Sequence, residues 1–332
     1  MNNIFLPKNI LVLLAVFVPA SFASAHVKWF VGDSAPLAEP EYAAFVFLAW
    51  FALFCALVGA AFAIERKTAT LPLFRDSLVG ARGADIVFFV FSFVVGVFLI
   101  FSSLQGYVFS LNITGSGPAF AFLLALQSFI GFGFLFGIQV RFSAILLGVL
   151  WTLSLFIVGV VPVAENAWVL GVAGFLFFSE RHFALISKPL PVFENVRKRY
   201  ASYALPVLRI CLGVTLMILG FTEKLLAPEL GIAFLAEHDW NFMYLLGLEW
   251  FSDYLFVISA GVVEFLFGFL FFWGLVNRLN GLVVTITFLI PLFILGPLEL
   301  VGHMPHFAIV GVLFVLGGGT PLYPAVRNMF RA

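Results

Sequence analysis

The stretch 291–307, PLFILGPLELVGHMPHF, brings Glu299, His303 and His306 within eight residues of otherwise apolar sequence. Pro297, Gly302 and Pro305 interrupt the helical pattern there, which predicts a bend between two membrane spans. Ionisable groups at a helix break in a membrane protein are costly to keep and mark a functional site by default. An acid and two imidazoles suit two chemistries. As ligands they fit zinc, iron or oxidised copper, with His26 or His238 completing the shell from outside. As neutral imidazoles and a carboxylic acid they would hold the carbonyls of a quinone and pass its protons, since His titrates near neutral pH. Pro305 is favoured in a first helical turn, which predicts His303 ahead of the helix and His306 inside it. The bland alternative is that the three groups satisfy loop backbone and face solvent.

Two further positions carry charge into apolar text. Glu264 lies in SAGVVEFLFGFLFFWG, with roughly two and a half turns of helix before it. A lone carboxylate there would cost several kcal/mol, so it must be protonated, paired or metal-bound. Lys224, His303 and His306 stand at comparable depth as partners. The alternative is a neutral Glu that tightens packing across the bundle, a contact of about 0.6–2 kcal/mol. Glu223 and Lys224 are adjacent in ILGFTEKLLAPE. Neighbours on an α-helix point about 100° apart, so only one faces the interior easily, and Lys224 is expected to snorkel to the headgroups.

These residues sit in a chain that composition assigns to the membrane. Of 332 residues, 63% are hydrophobic and 10% charged, and Phe alone accounts for 45. Mean hydropathy is +1.14. A soluble domain cannot have an apolar surface of that extent, and nothing in the pattern suits a nucleic-acid partner. Cys55 and Cys211 each lie in an apolar run and form no C-x-x-C pair, which argues against a thiol relay or a thiolate metal cage. No phosphate-binding Gly-rich loop, nucleophile elbow or nucleotide signature is present.

Residues 1–25 carry Lys8, the eleven-residue run ILVLLAVFVPA and the small-residue end Ala23-Ser24-Ala25. That run is too short for a span of about 20 residues and reads as a secretory signal peptide cut after Ala25. Cleavage there would leave His26 at the N-terminus, where amine and ring nitrogen together form a chelate. A polar segment follows over 26–41. Nine apolar runs come next, at 42–64, 84–104, 118–139, 143–161, 168–179, 206–226, 254–274, 281–298 and 307–319. Alternate loops and the C-terminal tail, counting Arg209 at the start of its helix with them, hold fourteen Lys and Arg, among them Arg66, Lys67, Arg141, Arg197, Lys198, Arg199 and Arg278. The opposite side holds only Lys28 and Lys224. This bias orients the chain with its N-terminus outside and its C-terminus inside. Glu223, Lys224, His238, Asp239, Glu299, His303 and His306 then fall at the outer face. The outer loop 227–253 is acidic, with Trp240 and Trp250 suited to the interface.

Setting Gln127 against Glu264 aligns Gly131 with Gly268, Gly137 with Gly274 and Arg141 with Arg278. This spacing predicts two parallel four-helix repeats related by an axis along the membrane normal. The outer bend of the first copy, VPVAENAW, has Glu165 and Asn166 but no His, so the first copy reads as scaffold and the second as the active half. Residues 42–180 form the first transmembrane domain, 181–205 a cytoplasmic linker, 206–320 the second domain and 321–332 a cytoplasmic tail. Arg197, Lys198 and Arg199 in the linker suit anionic lipid.

The stretch ALPVLRICLGVTLMILGFTEKLLAP, with Arg209, Gly213, Gly220, Lys224 and Pro228, resembles the opening helix of DoxX-type membrane proteins. Glu264, Gly268, Gly274 and Arg278 are similar to that family's second helix, and GHMPHF also resembles it. The resemblance covers about 204–320. It implies a four-helix bundle in a bacterial inner membrane and a quinone-linked redox role, with Lys224, Glu264 and His303 at the matching polar positions. The cysteines of some redox-active members have no counterpart.

The expectation is therefore an all-α integral membrane protein with about nine transmembrane helices, namely two parallel four-helix-bundle repeats plus one extra N-terminal span. Its candidate catalytic residues are Lys224, Glu264, His303 and His306. Its candidate metal ligands are His26, His238, Glu299, His303 and His306. Three functions stay open: quinone-linked redox chemistry, binding or transfer of copper, zinc or iron at the periplasmic face, and a structural or assembly role. The expected partners are the lipid bilayer and other membrane or periplasmic redox proteins.

Overall fold

The computed structural model describes residues 43–68, 71–179, 195, 199–238, 240–290, 297–319 and 322. The expected signal peptide 1–25, His26, the 26–41 segment, Asp239, most of the expected linker and nearly all of the expected tail lie outside the described residues.

Each of the nine apolar runs carries a helix, and no strand occurs among the described residues. In chain order these are α1 (Ala43–Thr68), α2 (Ala81–Leu104), α3 (Pro118–Leu135), α4 (Val140–Ile157), α5 (Trp168–Phe178) and α6 (Ala204–Leu219). After α6 come α7 (Pro228–His238), α8 (Asp253–Trp273), α9 (Asn277–Leu289) and α10 (Pro297–Leu316). Helix α7 lies inside the segment 227–253, where no helix was expected. Among the described residues six helical stretches are long and apolar enough to cross a membrane: α1, α2, α3, α4, α8, and α6 together with the turns on either side of it, Ala201–Leu225. The chain is an all-α membrane protein.

Helices α2, α3, α4 and α5 pack in succession, as do α6, α8, α9 and α10, and α5 lies on α6 while α10 lies on α2. One core of Phe, Leu and Val side chains runs through both groups, including Phe88, Phe98, Leu123, Trp168, Leu212 and Ile309. Helix α1 stands apart on α8, with Phe54 against Phe265 and Phe269 at ring distances of 5.9 and 5.4 Å. Its other faces expose Phe45, Leu48 and Phe51, as lipid contact requires.

Small residues set the closest approaches. A Cβ on Gly96 of α2 would lie 2.7 Å from Leu135 N and 2.8 Å from Gly131 O of α3. A Cβ on Gly213 of α6 would lie 2.6 Å from Gly268 O and 2.7 Å from Phe272 N of α8. The partner atoms are backbone, so no side chain can move aside. This is how tight helix pairs form without a hydrophobic drive between them.

Buried guanidinium groups tie helices together as well. Arg209, fully buried, donates to the carbonyls of Phe271 (2.5 Å), Phe272 (3.0 Å) and Gly318 (3.0 Å). Arg278 donates to the carbonyls of Phe314 (2.6 Å), Asp76 (2.5 Å) and Leu73. Each collects carbonyls from helix ends and from the turns beside them. Glu65 of α1 accepts from the N–H of Val276 at 2.8 Å, at the positive-φ residue where α9 begins.

Candidate functional site

Helix α6 does not end as an α-helix. Gly220–Leu225 forms a π-helical turn, closed by the Leu226 N–H donating to the Phe221 carbonyl five residues back at 2.9 Å. Such widened turns occur mostly as local insertions, frequently at functional sites. Gly220 and Gly261 make room for this one. A Cβ on Gly220 would lie 2.8 Å from Gly261 O, and one on Gly261 would lie 2.8 Å from Lys224 Cβ. The turn therefore presses onto α8, and Lys224 Nζ reaches Glu264 Oε2 at 2.5 Å. Glu264 is 7% exposed and Glu223 fully buried.

Two expectations change here. Lys224 pairs with Glu264 instead of snorkelling, because Gly261 leaves its side chain a path along α8. Glu223 and Lys224 both turn inward, because the π turn replaces the regular helical register that would have separated them. The expectation that Glu264 needs a partner holds, and among its suggested partners Lys224 is the one in contact.

A buried residue from α5's side also reaches this turn. Glu165, 1% exposed, accepts a hydrogen bond from Thr222 Oγ1 at 3.1 Å. Just beyond it, Asn166 donates to Pro162 O at 2.9 Å and to Ser110 Oγ at 3.2 Å, and accepts from Trp168 Nε1 at 3.0 Å. Thr215 of α6 accepts from the Trp168 N–H at 2.8 Å and so satisfies the first turn of α5. Nothing in the sequence signals the Thr215 and Thr222 contacts, because each joins helices distant along the chain.

The histidines occupy one helix. Helix α10 begins at Pro297 and continues through Pro305, so His303 does not precede it and the expected bend is absent from 297 onward. Pro305 is accommodated inside the helix at the loss of the N–H that would bond the Val301 carbonyl. His303 and His306 consequently share a face, with ring centres 5.9 Å apart, and are 2% and 7% exposed. Phe288 of α9 lies 4.5 Å from the His303 ring and 6.1 Å from that of His306, and Trp168 lies 6.0 Å from His306. Neither ring nitrogen of His306 has a hydrogen-bond partner among the described residues.

The suggested metal shell is only partly in view. Glu299 stands one turn before His303 on α10, with its side chain outside the described residues, as is His26. His238, on α7, packs against Phe234 at 4.7 Å. Among the described residues no group of three His, Cys, Asp or Glu side chains is placed to hold a metal ion.

At the contact of α2 and α3 lies the buried polar side chain of Gln127, on α3. It is fully buried, accepts from the Phe109 N–H at 3.0 Å, and donates to Ser102 Oγ (2.9 Å), Ser103 Oγ (3.0 Å) and Tyr107 O (3.1 Å). No protein-family model, curated protein or solved structure matches the chain.

Proposed function

We propose that this is a DoxX-like protein of the bacterial inner membrane whose polar site in the outer half serves quinone-linked redox chemistry. The observation that carries the reading is the Lys224–Glu264 ion pair, drawn into the α6–α8 contact on a π turn. A buried ion pair is weak evidence of stabilisation, because apolar side chains of similar volume often do as well. Ionisable groups inside a membrane mark substrate or proton paths instead. Lys224 offers an ammonium donor to a ligand carbonyl, and Glu264 a carboxylate that accepts a proton from a ligand hydroxyl. The imidazoles of His303 and His306 add donors and acceptors of near-neutral character.

In this reading the helices other than α7 are nine spans, with the N-terminus outside and the C-terminus inside, arranged as one extra span and two parallel repeats. Three recurrences support the repeat. The Gly96–Gly131 approach recurs at Gly213–Gly268, with backbone partners four residues on in each case. The positive-φ pair Gly137 and Gln139 recurs as Gly274 and Val276. Ser92 Oγ donates to Phe134 O at 3.0 Å where Arg209 donates to Phe271 O.

The test is quinone content, and quinol oxidation with ferricyanide added as electron acceptor, by protein purified in mild detergent, for wild type and Glu264→Gln. Wild type should carry quinone and turn over quinol. Glu264→Gln should stay folded with both reduced. Absence of quinone and turnover in the wild type would remove the reading.

One observation favours a second reading. The start of α10 at Pro297 places Glu299, His303 and His306 at positions i, i+4 and i+7 of a single helix, a register that suits a metal. Near-stoichiometric zinc, iron or copper in the wild type, lost in the His303→Ala/His306→Ala double variant, would establish it.

A further inference from the structure

The segment between α7 and α8 exposes more apolar surface than water tolerates. Leu245 is 87% exposed, Trp250 70%, Leu246 67%, Phe242 45% and Tyr244 41%. They fall within nine residues, outside every candidate span. The segment is also held in one shape. Asn241 Nδ2 donates to Phe251 O and to Asp253 Oδ1, each at 2.9 Å. Tyr244 Oη donates to the same Asp253 oxygen at 3.1 Å, and Phe242 packs on Phe256 of α8 at 5.1 Å. A 3₁₀ turn at Tyr244–Leu246 ends in Gly247 at φ +74°, which turns the chain back and leaves Leu245 and Leu246 at the tip.

We infer that residues 242–250 form a membrane anchor, lying in the headgroup–acyl boundary of the leaflet that α8 enters at Asp253. Three observations select lipid as what covers them. The segment is continuous with α8, whose first residues already stand at the edge of a membrane-crossing helix. Its composition, Trp and Tyr beside bare Leu, is that of an interfacial belt. Residues 227–253 contain no Lys or Arg, so attraction to anionic lipid plays no part and apolar burial alone drives the insertion. The inference is independent of the quinone reading.

The test uses the full chain with Cys55→Ser and Cys211→Ala, a nitroxide on Leu245→Cys, and phosphatidylcholine vesicles. Collisions with oxygen, which concentrates in lipid, are compared with collisions with a water-soluble nickel chelate. The spin at 245 should favour oxygen, as should one at the lipid-exposed Phe156→Cys, with the ratio reversed at Glu237→Cys. Nickel collisions prevailing at 245 would place the loop in water and overturn the anchor. Suppression of both kinds of collision there would show a protein cover, from a second copy or another chain, and would overturn it equally.

Discussion

Where α3 meets α2, Gln127 is surrounded by two serine hydroxyls and three backbone groups, every one of them neutral. Where α8 meets α6, Glu264 faces a lysine ammonium on a widened turn. The helix pairs approach through the same kind of glycine contact, so packing alone does not require the charge. In the first region the amide is the side chain that the surroundings dictate: its one oxygen meets a donor and its one nitrogen meets acceptors. In the second, Glu264 has been given a cation by distorting the helix that carries it. A group that costs a distortion to neutralise is a better candidate for chemistry than one whose neighbours are already complete.

The sharpest way to break the comparison is to exchange the charges. Gln127→Glu would set a carboxylate oxygen against four acceptors, the oxygens of Ser102, Ser103, Tyr107 and Leu99. The serines could turn their hydroxyls, but the carbonyls cannot. The expected cost is about 3 kcal/mol or more, read as a large fall in thermal midpoint in detergent or loss of folded protein. Tolerance of Gln127→Glu would mean that the first region is not complete, and the contrast with Glu264 would fail.

Breaking the ion pair from one side comes next. In Lys224→Met, Glu264 keeps its burial and loses its cation, at about 3 kcal/mol, the low end for a broken buried pair because the carboxyl can take up a proton instead. Glu264→Gln should cost less, since Lys224 stands near enough to the helix end for its ammonium to reach the headgroups. Thermal melts of the two variants side by side give the order. The reverse order would mean that the ammonium does not reach them.

This asymmetry bears on how much the sequence could reveal. The nine apolar runs locate nine helices, because hydrocarbon-length stretches of apolar residues have few other structures open to them. Glu264 was legible as a residue needing a partner for a similar reason: one charge in an apolar helix must be answered. Its partner was not fixed by the text. The choice of Lys224 over His303 or His306 depends on the π turn and on Gly220 and Gly261, and a one-residue widening of a helix leaves no periodic trace over six residues. Pro305 misled for a related reason. Its preference for a first turn is a tendency of a few kcal/mol, and the packing of α10 against α9 and α2 outweighs it. Glu165 read as part of an idle copy, because its contact with Thr222 spans 57 positions.

The glycines give a smaller and more selective effect. Gly96→Ala and Gly213→Ala should cost similar amounts, about 1–3 kcal/mol each, since both place a Cβ against backbone at 2.6–2.8 Å. Gly261→Ala meets Lys224 Cβ at 2.8 Å and Gly220 O at 3.1 Å, atoms that move only with the backbone of the π turn, so it should cost a similar amount while shifting Lys224 away from Glu264. Thermal midpoints in detergent give the cost of each. Quinol oxidation should be impaired most in Gly261→Ala, relative to the stability each variant loses. Equal activity in all three would deny the turn any role beyond packing.

The smallest expected change in stability is the most telling. In the double variant Lys224→Met/Glu264→Gln both charges are gone and the volumes are nearly kept. Removing one partner strands the other, whereas removing both leaves neither member of this pair stranded. Replacement of a buried pair by neutral groups is commonly neutral or stabilising. The double variant should therefore melt within about 1 kcal/mol of wild type, above Lys224→Met alone. The amide at 264 would then resemble Gln127 in charge, and the second region would become as inert as the first. If quinol oxidation and quinone retention vanish while stability stays, the pair exists for chemistry. If stability falls by the sum of the single costs, the two residues act independently and the ion pair is not the reason either is there. If stability and turnover both stay, the site lies elsewhere, and His303 and His306 on α10 become the residues to change.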